Sequence, residues 1–376
     1  MRALVLVGGE GTRLRPLTLT LPKPAIPLVD RPFIRYTLEW LARHEVEEVV
    51  MACGFGAGPL REVLGEGGGN APRLVYLEEP EPLGTAGPVR LAADRDLLGE
   101  RFLVLNGDVL ADLDLGPLIR THEELGAGAT IALYPVEDPG SYGLVRRRGG
   151  PQEAGAAPAT ARGEVLEFFE KPGSRPLGTN EINAGAYVLD RAVVDLIPPG
   201  HMVSIEREVF PRLVGRGLYG QRLEGYWMDI GTPERYLQAS WDILEGRVRT
   251  AVDPGLGGAG VLVENGASID RAAIINPPAL LQEETTIGAG ATIGSRAVIG
   301  PRSEIGERAA VRGSVMLSDC RIGPLARVED AILAAGVEVG EGARVAAGAV
   351  IGEGARIGPA VAMPDGARLG PGEVAR

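Results

Sequence analysis

At 376 residues the chain exceeds one typical hydrophobic core, so two domains are expected. Its balance of 38 Lys+Arg against 50 Asp+Glu, a net charge of −12, argues against a nucleic-acid or anionic-membrane surface. Two distant cysteines, Cys53 and Cys320, provide neither a disulfide framework nor a zinc site. No apolar run approaches the roughly 18 residues that a membrane span requires, and Met1-Arg2 leads straight into a strand, so a cytoplasmic protein without a signal peptide is expected.

The first element, an apolar strand at Ala3–Val7, runs directly into Gly8-Gly9-Glu10-Gly11-Thr12-Arg13-Leu14-Arg15-Pro16-Leu17-Thr18, with Pro22-Lys23-Pro24 following. Glycines without a Cβ let backbone N–H groups approach an anion, and Arg13, Arg15 and Lys23 add cations. Together they form a polyphosphate site of neither common kind. Counting from Gly9, the dinucleotide fingerprint would need glycine where Leu14 stands, and no Lys-Ser pair completes a P-loop.

Strands are then predicted at Glu48–Ala52, Arg73–Glu78 and Phe102–Asn106, with helices at Pro32–His44, Pro59–Leu64 and Pro88–Leu98 between them. This alternation predicts an α/β domain, a Rossmann-like and mostly parallel sheet with ligands at the carboxyl ends of its strands. Glu81-Pro82-Leu83-Gly84-Thr85-Ala86-Gly87 is a glycine-flanked turn opening a helix. The apolar strand Leu103–Leu105 ends in Asn106-Gly107-Asp108, which puts Asp108 at the ligand edge. Further strands are predicted at Thr130–Val136, Val165–Phe169 and Ala184–Leu189, with helices at Arg191–Ile197 and Ile205–Val214. Gly149–Gly163, rich in Gly, Ala and Pro, reads as a surface loop. Tyr226-Trp227-Met228-Asp229-Ile230-Gly231-Thr232 supplies a second carboxylate, Asp229, and Thr232-Pro233-Glu234 caps a helix to about Leu244. Two carboxylates at one phosphate site suit Mg²⁺, which takes few protein oxygens and completes its shell with water and phosphate.

Beyond a Gly- and Pro-rich linker at 246–260 the period changes. Aliphatic residues recur every six positions from Val263 to Leu317, the spacing shortens by one at Ile322 and again at Leu333, and it continues to Leu369 over nineteen hexads. Neither helical amphipathy nor a coiled coil has this period. Strand-and-corner units stacked as a parallel β-helix do, over residues 261–376. The hexads resemble those of left-handed hexapeptide-repeat β-helices. Many such domains are acyltransferases with a histidine base, but His44, His122 and His201 all precede the repeats. The β-helix is therefore expected to be structural, regulatory or homo-oligomerising. His44 and His122 are expected to be solvated at helix ends and His201 to lie in a loop.

The first loop resembles G-G-x-G-T-R-L-x-P-L-T followed by P-K-P, the signature of the nucleotide-sugar pyrophosphorylases (sugar-1-phosphate nucleotidyltransferases). The resemblance extends to Glu170-Lys171-Pro172, Ile182-Asn183-Ala184-Gly185, Ser204-Ile205-Glu206-Arg207-Glu208-Val209-Phe210-Pro211 and the Trp227–Thr232 segment, and runs along the whole chain, repeats included. It implies nucleotidyl transfer over residues 1–245, from a nucleoside triphosphate to a sugar 1-phosphate, with Arg13 and Lys23 as catalytic cations. By the same resemblance Gly8, Gly9, Gly11, Thr12, Gly84 and Thr85 bind the nucleotide. Gly143, Glu170, Lys171 and Asn183 bind the sugar phosphate, while Asp108 and Asp229 hold the metal. Within the family the combined elements look most like members that use GTP and mannose 1-phosphate. Thymidylyl, adenylyl and uridylyl transfer to glucose 1-phosphate share nearly all these motifs and stay open, as does a non-catalytic regulatory subunit of the same fold.

Overall fold

Short aliphatic runs become strands here because both faces of the central sheet are covered: Ala3–Val5, Val49–Ala52 and Phe102–Val104 are wholly buried. The computed structural model describes residues 1–54, 57–68, 71–151, 160–171, 173, 178–250, 252 and 260–376. Most of the expected 149–163 loop (152–159) and most of the Gly- and Pro-rich centre of the linker (251 and 253–259) lie outside the described residues. By contacts the chain forms two units, residues 1–9 with 37–227 and residues 10–36 with 228–376.

The first unit is built on a nine-stranded sheet. Its strands are β1 (Arg2–Leu6), β2 (Glu48–Cys53), β3 (Arg73–Glu78), β4 (Arg101–Asn106), β5 (Ala129–Pro135), β6 (Gly143–Arg147), β7 (Arg162–Glu170), β8 (Glu181–Asp190) and β9 (Leu218–Arg222). They lie in the order β3-β2-β1-β4-β8-β5-β9-β7-β6. The half β3-β2-β1-β4 is parallel, with helices at Gly58–Leu64 and Gly87–Asp94 in its connections. β8 then runs antiparallel to both β4 and β5, and the antiparallel hairpin of β6 and β7 closes the far side. Strand order reverses at β1 and β4, and such a switch point leaves a crevice outside the carboxyl ends of the strands.

Strands β6 and β9 are additional to those expected from the sequence. β6 carries Arg146-Arg147. In the fold Arg147 Nε and Nη2 donate to Glu181 Oε2 and Oε1 at 2.9 and 2.8 Å, and both side chains are only 1% exposed. A bidentate pair thus carries a charge into the sheet. In β9 the buried Gln221 accepts from Thr121 Oγ1 at 2.6 Å. His122 also departs from expectation, being 0% exposed rather than solvated. Its Nδ1 lies 3.0 Å from Thr130 Oγ1 and its Nε2 3.0 Å from Asp190 Oδ1, and burial pushes its pKa down. His44 is half-buried beside the Leu113 carbonyl, and His201 is exposed in a loop. The expected Ile205–Val214 helix is instead a π-helical stretch, Ile205–Val209, followed by one α turn at Phe210–Leu213.

In the second unit the hexads form three stacked parallel sheets of seven, seven and six strands. Partners are 18 residues apart at first, as in Val261↔Ala279, and 17 apart through the middle coils, as in Val298↔Val315. The first shortening falls one hexad earlier than the aliphatic count suggested, between Val311 and Met316. Met316, not Leu317, stacks on Ile299 and fills the core, because the missing residue belongs to the Arg312-Gly313-Ser314 corner. Gly313 has φ +58° and no room for a Cβ beside Asp330 of the next short corner. Its carbonyl accepts Trp241 Nε1 at 2.9 Å, which docks the Pro233–Leu244 helix on the stack. Thr232 caps that helix as expected, accepting from Arg235 N at 3.4 Å.

Removing one member of the Arg147–Glu181 pair should strand a buried charge. Glu181→Leu is expected to cost about 3–5 kcal/mol, while combining it with Arg147→Met recovers most of that loss. Urea unfolding of both variants measures this. Equal losses would show that the two charges do not depend on each other.

Candidate active site

Register decides what meets at the switch point. Leu6 of β1 pairs with Asn106 of β4, and Gly107 N donates to Leu6 O at 2.9 Å. Both strands therefore end together, β1 in Gly8-Gly9 and β4 in Gly107-Asp108. A Cβ on Gly8 would lie 2.7 Å from Gly54 N and 3.3 Å from Glu79 Oε1, and one on Gly107 2.6 Å from Val7 Cγ1. These glycines permit the close approach of the strand ends. Gly9 has open space around it, which leaves its backbone approachable. Asp108 is half-buried at this edge. Glu79, which the sequence did not single out, is buried there. Its Oε2 accepts from Leu83 N at 3.1 Å, and burial raises its carboxyl pKa.

A second cluster gathers Gly143, Glu170 and Asn183. Gly143 pairs with Glu170 across β6 and β7, and a Cβ on it would lie 2.9 Å from Glu170 Oε2 and 3.5 Å from Asn183 Cβ. Burial, and next the Glu206 carboxylate, push the Glu170 carboxyl above its usual range, against the pull of Lys171 and Arg207. Lys171 has φ +50°, an unusual conformation for a side-chain-bearing residue, held by its N–H donating to Tyr142 O at 3.1 Å. Its ammonium lies 3.8 Å from Glu170 Oε1, and its side chain is 63% exposed. Asn183 Nδ2 donates to the Tyr187 hydroxyl at 2.8 Å, and its Oδ1 accepts from Gly185 N at 2.9 Å. Trp227 Nε1 donates to Ala184 O at 2.8 Å and stacks on Tyr134, so this aromatic pins the Asn183–Gly185 corner. A Cβ on Gly185, at φ +73°, would lie 2.7 Å from Asn106 Nδ2, which joins this corner to the end of β4.

The Gly84-Thr85 turn is tied down from the other side. Gly84 bridges to Val203, and Ala86 N donates to Val203 O at 2.9 Å. The Thr85 hydroxyl donates to Glu206 Oε2 at 2.7 Å and accepts from Ile205 N at 2.9 Å. Glu206 also accepts from Ser204 Oγ at 2.8 Å. Thr85 is thus engaged within the protein, and Glu206 is the residue that sequence reasoning quoted in a motif without assigning a role.

The second unit gathers the remaining expected residues. Gly11, at φ +61°, starts the turn Thr12–Leu14, and a Cβ there would lie 2.8 Å from Thr18 Cγ2 and 3.2 Å from Lys23 Cβ. Thr12 and Arg13 are exposed, whereas Lys23 is only 8% exposed. Gly231 stands between Arg13 and Asp229: a Cβ on it would lie 2.5 Å from Arg13 Nη2 and 3.1 Å from Asp229 Oδ1. Arg235 Nη1 donates to Asp229 Oδ2 at 3.4 Å. Among the described residues no group of three or more His, Cys, Asp or Glu side chains is assembled for a metal. Asp108 and Asp229 are half-buried hard oxygen donors, the donor chemistry that suits Mg²⁺, zinc being served by nitrogen and sulfur.

Residues 2–246 match the family described as nucleotidyl transferase, and residues 259–363 match the EIF2B subunit epsilon LbH domain. The mannose-1-phosphate guanylyltransferase of Mycobacterium tuberculosis is 38% identical over 272 residues, 71% of each chain. The mannose-1-phosphate guanylyltransferase catalytic subunit beta of Dictyostelium discoideum is 39% identical over 63% of each chain, and mannose-1-phosphate guanylyltransferase 1 of Arabidopsis thaliana likewise. A crystal structure from Bacillus anthracis, described as a glucose-1-phosphate thymidylyltransferase with sucrose, superposes with a TM-score of 0.55 at 23% identity. It covers 64% of this chain and 93% of its own, and shows the fold. The chain belongs to the nucleotidyl transferase family.

Proposed function

We propose that this protein joins GTP and mannose 1-phosphate to give GDP-mannose and pyrophosphate, with residues 1–245 as the transferase domain, 246–260 as linker and 261–376 as a homo-oligomerising β-helix. The observation that carries the reaction class is the Leu6–Asn106 register, which sets an open glycine backbone beside Asp108 at the sheet's switch point. The names of the guanylyltransferase relatives support the choice of base and sugar. A cytoplasmic setting accords with the absence, among the described residues, of any helix long and apolar enough to cross a membrane.

A sugar 1-phosphate is already an anion at pH 7, so attack needs neither a covalent nucleophile nor a strong base. A phosphate oxygen forms a bond to the α-phosphorus as the bond to the β-phosphate oxygen breaks and pyrophosphate leaves. The obstacle is repulsion. Two unit charges about 4 Å apart interact by roughly 4 kcal/mol at an effective dielectric near 20, and each substrate carries more than one. In this reading the N–H groups of Gly8, Gly9 and Gly11, with Thr12, cradle the triphosphate, and Arg13 and Lys23 offset its charge. Lys171 pairs with the sugar phosphate, while Glu170 and Asn183 meet sugar hydroxyls across the Cβ-free Gly143. Gly84 frames the base, and Thr85 serves it through the turn that its hydroxyl holds. Asp108 and Asp229 would hold Mg²⁺, which supplies further positive charge at the phosphates. Positioning and electrostatics then provide the rate enhancement.

Pyrophosphate release from GTP, ATP, UTP and dTTP, each paired with mannose 1-phosphate and glucose 1-phosphate, tests the proposal. Turnover is expected to be fastest with GTP and mannose 1-phosphate. Preference for another pair would replace the substrates, and no turnover on any pair would favour a regulatory subunit. Asp108→Asn is expected to lower kcat by about a hundred- to a thousandfold at saturating Mg²⁺, whereas retention within about threefold would remove Asp108 from the phosphate site.

A further inference from the structure

Of the three β-helix faces, only one alternates the sign of its exposed charges over four successive coils. On the first sheet the outward residues Leu280, Val298, Val315, Ile332 and Val350 are wholly buried. A second sheet stacks Arg312 on Glu329, paired at 2.9 Å, but Arg327 on Arg344, so its charges do not alternate along the stack. The third stacks Glu304, Arg321, Glu338 and Arg356 in register, with side chains 61, 67, 44 and 65% exposed. Strands in such a stack are about 4.8 Å apart. Within the chain these groups pair only along the surface, Arg321 with Glu304 at 3.9 Å and Arg356 with Glu338 at 3.4 Å. Exposed pairs of that kind contribute little to stability.

The ladder's order has a symmetry. Read from either end, Glu-Arg-Glu-Arg becomes its own charge complement. A two-fold axis passing between Arg321 and Glu338 sets Glu304 opposite the partner's Arg356 and Arg321 opposite the partner's Glu338. Every carboxylate then faces a guanidinium, as an isologous interface requires. Beside the ladder, Gly306, Gly323, Gly340 and Gly358 carry no side chain and floor a trough of about 760 Å³, room for the facing side chains.

We infer that this face binds a second copy of the chain, antiparallel and two-fold, through the Glu304–Arg321–Glu338–Arg356 ladder. The inference deepens the reading of the β-helix as the oligomerising module and is independent of the catalytic assignment. Sedimentation velocity of the full chain tests it, with an acidic variant (Arg321→Glu with Arg356→Glu) and a basic variant (Glu304→Arg with Glu338→Arg). The parent is expected at twice its 39.4 kDa chain mass, or a multiple of that. Each variant, with far-UV circular dichroism unchanged, is expected at half the parent's mass, and mixing the two in equal amounts restores it. A monomeric parent overturns both the oligomeric reading and this face. A variant that keeps the parent's mass, or folded variants that fail to recombine, overturns the face alone.

Discussion

The parallel pairing of β1 with β4 is the constraint on which the catalytic reading depends. Their register, Leu6 on Asn106, makes both strands stop at one edge, and the residues beyond them differ in kind. One strand continues into glycines whose backbone an anion can reach, the other into a carboxylate. Gly107 has almost no space for a Cβ against Leu6 and Val7 of the first strand, and Gly8 almost none against Gly54 beyond β2, so the approach of these strand ends is a property of the backbone as much as of side chains. The tasks proposed for them, holding phosphate and holding a cation, would thereby lie side by side without help from a long-range field, since a net charge of −12 repels an anionic substrate.

The rest of the first unit steadies that edge. Trp227 hydrogen-bonds the Ala184 carbonyl, Asn183 is tied to Tyr187, and Gly185 packs on Asn106. The corner expected to meet the sugar is thus fastened to the same strand that ends in Asp108. Glu206 does the corresponding work for the Gly84-Thr85 turn by gathering the hydroxyls of Thr85 and Ser204. The π-helical stretch that holds Glu206 replaces a regular helix there, a distortion common at functional sites. The site is built largely from side chains that hold other side chains and backbone in place, which is what catalysis by preorganisation demands.

Much of this was legible in the sequence where a local pattern carries the physics. Strands buried on both faces read as aliphatic runs, an anion loop needs glycine, and a stack of coils imposes a six-residue period. What escaped depends on partners far along the chain. Arg147 enters the sheet only because Glu181, 34 residues later, meets it, and Glu206 acquires its place from Thr85, 121 residues away. His122 looked solvated at a helix end until Thr130 and Asp190 closed over it. The slip from Leu317 to Met316 shows that a hexad count locates a deletion to within one corner and no better, since both residues are aliphatic enough to fill the core.

The account rests on a single direct displacement at the α-phosphorus, driven by positioning and charge. The buried thiol of Cys53, pushed up to about 12 by burial and by Glu78 and Glu79, is no nucleophile, and His122 is committed to structure. The most direct measurement is the stereochemical course with a nucleoside α-thiotriphosphate of known configuration at phosphorus. In-line transfer predicts a nucleotide sugar with inverted configuration. Net retention would require a covalent nucleotidyl-enzyme intermediate and would contradict the account.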